Sequence, residues 1–106
     1  MEAVGVINVI ATVDVKEGKR DEYITEFQKI RPLVLAEAGC FAYQATVDVQ
    51  SKISIQIVRP TNVIIVEKWA SLDALYAHLS VQHMKEFMEA TKDLQNGMTL
   101  QIMESL

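Results

Sequence analysis

Two histidines, a handful of aromatics and one asparagine in an apolar stretch are the residues of this 106-residue chain best able to do chemistry. His78 and His83 are five apart, and an imidazole takes or gives a proton near neutral pH. On one continuous helix that spacing turns them about 140° apart, so no shared metal is expected. If a break separates them into two helices, each meets a different dipole end. His83 would sit in a first turn, where imidazolium is disfavoured and a neutral base is kept. His78 would close the preceding helix, under the opposite influence. Asn8 lies among Ile7, Val9 and Ile10, where a polar side chain must find a partner or open onto a cavity. Trp69, Tyr43, Tyr76 and Phe87 are suited to wall a small aromatic ring, and Glu67 shares a strand face with Trp69. Each also has a plain alternative: packing for the aromatics, a satisfied core amide for Asn8, a salt bridge for Glu67, and a surface or capping role for the histidines.

Other chemistries lack their signatures. The glycines stand scattered at Gly5, Gly18, Gly39 and Gly97, so there is no G-x-G-x-x-G and no P-loop, and H-E-x-x-H is absent. The single cysteine, Cys40, cannot form an intrachain disulfide and has no metal-ligand spacing. It reads as a small buried hydrophobe. No cofactor or metal is expected. The net charge of −4 comes from interspersed acids and bases, without the Lys/Arg cluster that nucleic acid requires. The first fifteen residues show no basic leader and no cleavage site, and no apolar run nears the roughly 20 residues of a membrane span. A cytoplasmic protein without membrane contact is expected.

The elements that must position these residues follow from periodicity. Alternation predicts a strand over Ile7 to Val15, with Ile7, Val9, Ala11, Val13 and Val15 on one face. After a turn at Lys16–Lys19, a helix is expected from about Lys19 to Ala38 on Tyr23, Ile24, Phe27, Ile30, Val34, Leu35 and Ala38. Pro32 should interrupt or kink it, and Gly39 should stop it. A second strand runs from Cys40 to Asp48, with Phe41, Tyr43, Ala45 and Val47 sharing a face. Lys52 to Val58 alternates on Ile53, Ile55 and Ile57 and predicts a short extra strand. Val63 to Trp69 is apolar on both faces, as in a central strand. Ser71 caps a short helix carrying Leu72, Leu75, Tyr76 and Leu79; Ser80 restarts a helix with Met84, Phe87, Met88 and Thr91; Met98 to Met103 is a last strand.

The order β-α-β-(β)-β-α-α-β reduces, without the extra strand, to the β-α-β-β-α-β pattern of ferredoxin-like folds, an α+β antiparallel sheet. Helices cover only one face of such a sheet. Strands apolar on both sides call for a second cover, and a second copy of the sheet in an isologous homodimer is the economical one. At this length a single domain over 1–106 is expected.

The stretches VIATVDVKEGKRDEY, IRPLVLAEAGCFAY and VEKWASLDALYAHLSVQHMKEF together resemble the antibiotic-biosynthesis monooxygenase (ABM) superfamily. The third is the most specific, with Glu67-x-Trp69, the capping Ser71, His78-Leu79 and His83-Met84-Lys85. The proline-containing helix with its Gly-Cys, and the insert SIQIVRPTNVIIVEKW, are similar to the bacterial quinol monooxygenase subgroup. The resemblance spans nearly the whole chain. It implies a dimeric α/β barrel with one pocket per subunit between sheet and helices. It also implies oxidation or oxygenation of quinol-like aromatics by O2 without metal or flavin. In that reading His78 or His83 is the base, Trp69 and Tyr43 are ring walls, and Asn8 donates a hydrogen bond to substrate or to an oxygen intermediate. Other members of the fold leave alternatives open. Haem-degrading relatives use an asparagine, a tryptophan and a histidine, which Asn8 and Trp69 would match; further relatives act on small sugar-derived signals. A non-catalytic ligand-binding or stress module is the remaining option.

Overall fold

The alternating residues Ile7–Val15 form a nine-residue strand, β1, and its buried side is the one carrying Ile7, Val9, Ala11, Val13 and Val15. The remaining elements are α1 (Arg20–Leu35), β2 (Cys40–Thr46), β3 (Asn62–Trp69), α2 (Leu72–His78), α3 (Gln82–Thr91) and β4 (Gln95–Glu104). This is a computed structural model describing residues 4–106; residues 1–3, the start of the stretch read for a leader, lie outside the description. The architecture is α+β, with a wholly antiparallel sheet in the order β2-β3-β1-β4. Among the described residues, no helix is long and apolar enough to cross a membrane.

Register determines what faces the helices. Val9 of β1 lies opposite Glu67 of β3, and Glu67 lies opposite Tyr43 of β2, so the three share one row. The next row runs Ala45, Ile65, Ala11 and Leu100. Against these rows α1 lays Tyr23, Phe27, Ile30 and Val34, the one-sided stripe expected of an amphipathic helix. Phe27 stacks on Tyr43 with ring centres 4.8 Å apart and meets Phe87 of α3 edge-on at 6.3 Å. Burying a side chain of this size contributes about 1.5–3 kcal/mol. That aromatic trio binds α1, α3 and the sheet together.

Several expectations need correction. The helix runs through Pro32 and ends at Leu35, three residues short of the expected Ala38. Pro32 falls in the last turn, where only one backbone bond is forfeited, and its carbonyl still accepts from Ala36. A register shift between Cys40 and Ala42 takes Phe41 off the face of Tyr43 and leaves it exposed. No strand forms at 52–58; Ile53, Ile55 and Ile57 alternate on a loop with no adjacent strand to pair with, and Ile55 is 89% exposed. The loop is held at its base by the Asp48–Arg59 ion pair. In α2 only Leu75 and His78 are buried, while Leu72, Tyr76 and Leu79 are exposed. Two turns of helix at the rim of the layer have room for one buried edge.

Gly39 joins α1 to β2 at φ +79°, and its carbonyl accepts from Ala70 ahead of α2. A Cβ there would sit 2.8 Å from the Ala74 Cβ. Gly18 has a similar φ of +78° with open space around it. Urea unfolding should therefore separate the two. Gly18→Ala is expected to cost about 1–2 kcal/mol for the left-handed backbone, and Gly39→Ala a further roughly 1–3 kcal/mol for overpacking. Equal losses would contradict the close approach of α2.

Candidate functional site

The strand pleat places Glu67 on the dry side of the sheet, where a carboxyl is costly unless something meets it. Trp69, two residues on and on the same face, donates its indole Nε1–H to Glu67 Oε1 at 3.0 Å. Burial nonetheless pushes the Glu67 carboxyl up to about 7; the Trp69 hydrogen bond opposes the rise and the charge of Glu37 adds to it. Glu67 borders a cavity of about 150 Å³ between sheet and helices. Ala11, Ile65 and Glu67 form its floor, Tyr23 and Tyr43 one side, and Met98 and Leu100 the β4 side. His78 from the end of α2 and Leu79 just after it, with Met84, Phe87 and Met88 from α3, complete it.

Few polar atoms face this apolar chamber, and all can exchange or donate a proton. The Tyr23 hydroxyl is buried without a hydrogen-bond partner. Burial first, and then the Glu67 charge, push its ionisation far above that of an ordinary phenol, so it is a donor. Tyr43 is shifted the same way for the same leading reason, and its hydroxyl meets only the Met84 sulfur, at 3.9 Å. An orphaned donor in a dry chamber calls for an acceptor from a ligand or a water.

His78 closes α2, whose start is fixed by the Ser71 hydroxyl accepting from the Ala74 N–H. A turn at Leu79–Val81 then restarts the chain as α3. That break directs both imidazoles to one carboxylate. His78 Nδ1 lies 3.1 and 3.0 Å from the two Glu37 oxygens, and His83 Nε2 lies 2.7 Å from Glu37 Oε2. Desolvation lowers the pKa of His78, partly offset by its hydrogen bond to Glu37, so the ring is neutral at pH 7. It packs on Trp69 with ring centres 4.6 Å apart and on Tyr43 edge-on at 5.5 Å. A neutral His78 held through Nδ1 keeps Nε2 for another partner.

Of the site residues expected from the sequence, Tyr43, Glu67, His78 and Phe87 meet at the cavity. Trp69 is wholly buried behind it, where it orients Glu67 and supports His78; it is not a cavity wall. His83 touches Glu37 and does not border the cavity. Two others lie away from the cavity, and for Asn8 the plain alternative of a satisfied amide is the one found. Asn8 alternates out of the buried face, and its amide donates to Ser105 Oγ at 2.7 Å and to the Val6 carbonyl, tying β1 to the chain after β4. Tyr76 points outward and is 57% exposed. An Asn–Trp–His cluster of the haem-degrading kind is therefore not assembled from Asn8.

Sequence reasoning missed Tyr23 and Glu37. Tyr23 left a signal, since a tyrosine in a buried stripe carries a hydroxyl that needs an acceptor. Glu37 left none, because an acid just past a helix end is ordinarily solvated. The roughly 140° separation applies to an unbroken helix; the break expected near Ser80 is present, and across it the two imidazoles converge on Glu37. A second hollow of about 730 Å³, wider and more open, lies under Arg59–Asn62 and is bordered by Thr12, Asp14 and Thr99. It contains neither imidazole nor Glu67, so the smaller chamber is the candidate site.

Comparison with known proteins places the chain among relatives of the same fold. The profile of the family described as antibiotic biosynthesis monooxygenase matches residues 6–90. The probable quinol monooxygenase YgiN of Escherichia coli K12 is 35% identical over 100 residues, covering 92% of this chain and 96% of that protein. A candidate antibiotic biosynthesis monooxygenase from Caulobacter crescentus superposes with a TM-score of 0.80 at 27% identity, over 97% of this chain and 92% of that one. A conserved Methanosarcina mazei protein shares the fold with a TM-score of 0.84 at 20% identity, over 97% and 95% of the two chains.

The carboxyl of Glu67 makes a test independent of any substrate. Its folded value of about 7 exceeds the ordinary 4.5, so the folded state binds this proton more tightly. Stability contributed at this position is thus lost as pH rises from about 4.5 through 7, amounting to roughly 3 kcal/mol. Glu67→Gln keeps an acceptor for Trp69 without the charge. Denaturant unfolding should show its stability relative to wild type rising by about that amount between pH 4.5 and 8. A difference independent of pH would contradict a carboxyl buried in a dry chamber.

Proposed function

The chain belongs to the antibiotic biosynthesis monooxygenase family, and on that premise we propose that it oxidises quinol-like aromatics with O2, without metal or flavin, in the Glu67–His78 chamber. Family membership and the Escherichia coli relative support a monooxygenase-type function; the quinol substrate is carried over from what that relative's name says of it. The observation that carries the proposal is an apolar cavity of one-ring size whose few polar groups are a neutral imidazole, a carboxyl near neutrality and an unpaired phenol. A cavity near 150 Å³ holds a benzene-sized ring. Fused rings need Leu79, Met88 or Leu100 at its border to move.

His78 takes the proton of one ring hydroxyl at Nε2. Glu67 accepts a hydrogen bond from the other hydroxyl, or donates one when it is protonated. Tyr23 donates to the developing phenolate. Ionisation makes the ring electron-rich enough to reduce O2 directly, and the protein's part is to bind, deprotonate and exclude water. As an oxidase the balance is quinol plus O2 giving quinone plus H2O2. As a monooxygenase it is quinol plus O2 giving hydroxyquinone plus water. Tyr43 and Phe87 hold the ring, and Trp69 positions Glu67 and His78 from behind.

We also propose that a second copy of the chain covers the outer sheet face. Ile10, Ile64 and Val66 are half-buried there, and Ile53, Ile55 and Ile57 stand exposed on the 47–61 loop. Sedimentation at micromolar concentration should give twice the chain mass, and a monomer would contradict this part.

Oxygen-electrode uptake with a one-ring 1,4-dihydroxybenzene, on metal-stripped protein, tests the chemistry. Uptake above autoxidation is expected, reduced about 10²- to 10⁴-fold by His78→Ala, as for loss of a general base. Wild-type uptake at the autoxidation rate would contradict the proposal.

A further inference from the structure

We propose that Glu37 and His83 form a proton path between this chamber and solvent, relaying the proton that His78 takes from the bound ring. The inference rests on the proposed function and adds to it two residues that do not border the cavity. Its basis is a continuous chain of short contacts: His78 Nδ1 to Glu37 at 3.0 Å, then Glu37 Oε2 to His83 Nε2 at 2.7 Å. Exposure rises along it, with side chains 2%, 12% and 20% accessible at His78, Glu37 and His83. One end lies in the dry chamber and the other meets water.

Such a path answers a need of the site. The chamber is lined almost wholly by carbon and sulfur, so water is poorly placed to carry protons across it. His78 is held neutral by burial, so an imidazolium formed there must be stabilised or discharged promptly. The other charged or titratable groups around the pair are Tyr43, Glu67, Cys40 and Arg31. The Tyr43 hydroxyl meets the Met84 sulfur, Glu67 has its own donor in Trp69, burial raises the Cys40 thiol, and Arg31 donates to the Tyr43 carbonyl. None of them links His78 to the surface.

The proton step balances without electron movement. The ring O–H breaks as His78 Nε2–H forms, and the Nδ1 proton passes to a Glu37 oxygen. In the resting arrangement of this path Glu37 accepts at both contacts, from His78 Nδ1–H and from His83 Nε2–H. His83 first exchanges through water on its open side to the Nδ1–H tautomer, which frees Nε2; it then accepts the Glu37 proton at Nε2 and releases the Nδ1 proton to water, which restores its resting form. Run in reverse, the path returns protons to reduced oxygen. His83 is thereby a relay and not the substrate's base, and Glu37 acts through His78 as a positioning and relay group.

The test is O2 uptake with the same dihydroxybenzene by full-length wild type, His83→Ala and Glu37→Gln, each across a range of imidazole buffer concentrations. Wild type is expected to be insensitive to imidazole. His83→Ala should slow about tenfold or more and recover as imidazole rises. Glu37→Gln should slow without recovery, because the amide takes no proton. Full activity in both variants, or a loss in His83→Ala that imidazole never restores, would overturn the relay while leaving the quinol reading intact. Wild-type uptake at the autoxidation rate would overturn the quinol reading and the relay with it. Imidazole 15N spectra of the resting protein need no turnover. Protons on His78 Nδ1 and His83 Nε2, both shifted by Glu37→Gln, are expected; two unchanged spectra would overturn the linkage.

Discussion

A carboxyl carried into the dry side of a sheet by strand alternation has to be met where it stands, and the surroundings of Glu67 are arranged around that constraint. The same pleat that buries Val63, Ile65 and Trp69 buries Glu67 between them. Trp69 supplies one donor from the same strand face. Tyr23 from α1 and Tyr43 from the same row on β2 bring hydroxyls to the same chamber. The cost that remains keeps the carboxyl near neutrality, where it can serve as donor or acceptor. Local strain on stability at such a position is the usual companion of function.

The helical layer meets this floor with a break. Had α2 and α3 been one helix, His78 and His83 would have pointed apart. The turn at Leu79–Val81 lets the last residue of one and the first turn of the next converge on Glu37, itself held just beyond α1. Gly39 keeps that corner close to α2, because a side chain there would strike Ala74. Three segments distant in sequence thus position one imidazole, and Trp69 supports its ring from the sheet.

Much of this could be read in advance. Alternation gave β1 at its true ends and put β3 centrally, and the Tyr23–Phe27–Ile30–Val34 stripe gave α1. Those signals depend on burial of a whole face, which periodicity reports directly. Failures came where burial depends on a neighbour the pattern does not name. Ile53, Ile55 and Ile57 alternate like a strand but have no partner strand among the described residues. Leu72, Tyr76 and Leu79 have helical spacing on a helix too short to bury them all. Asn8 was a sound suspicion on the wrong face, satisfied by Ser105 instead of a ligand. Glu37 was invisible, since its importance lies in a long-range contact, whereas His78, Glu67, Tyr43 and Phe87 were recognisable as residue types suited to a ring.

The central claim is that an aromatic diol binds between Glu67 and His78. The most direct measurement is an anaerobic NMR titration with resorcinol, whose 1,3-hydroxyls resist oxidation to a quinone, following side-chain and backbone shifts across the chain. Shifts concentrated at Tyr43, Glu67, His78, Met84 and Phe87, and abolished by a Phe87→Trp substitution that fills the chamber, are the result predicted. Shifts centred instead on Arg59–Asn62 and Thr99, or none at millimolar ligand, would contradict it.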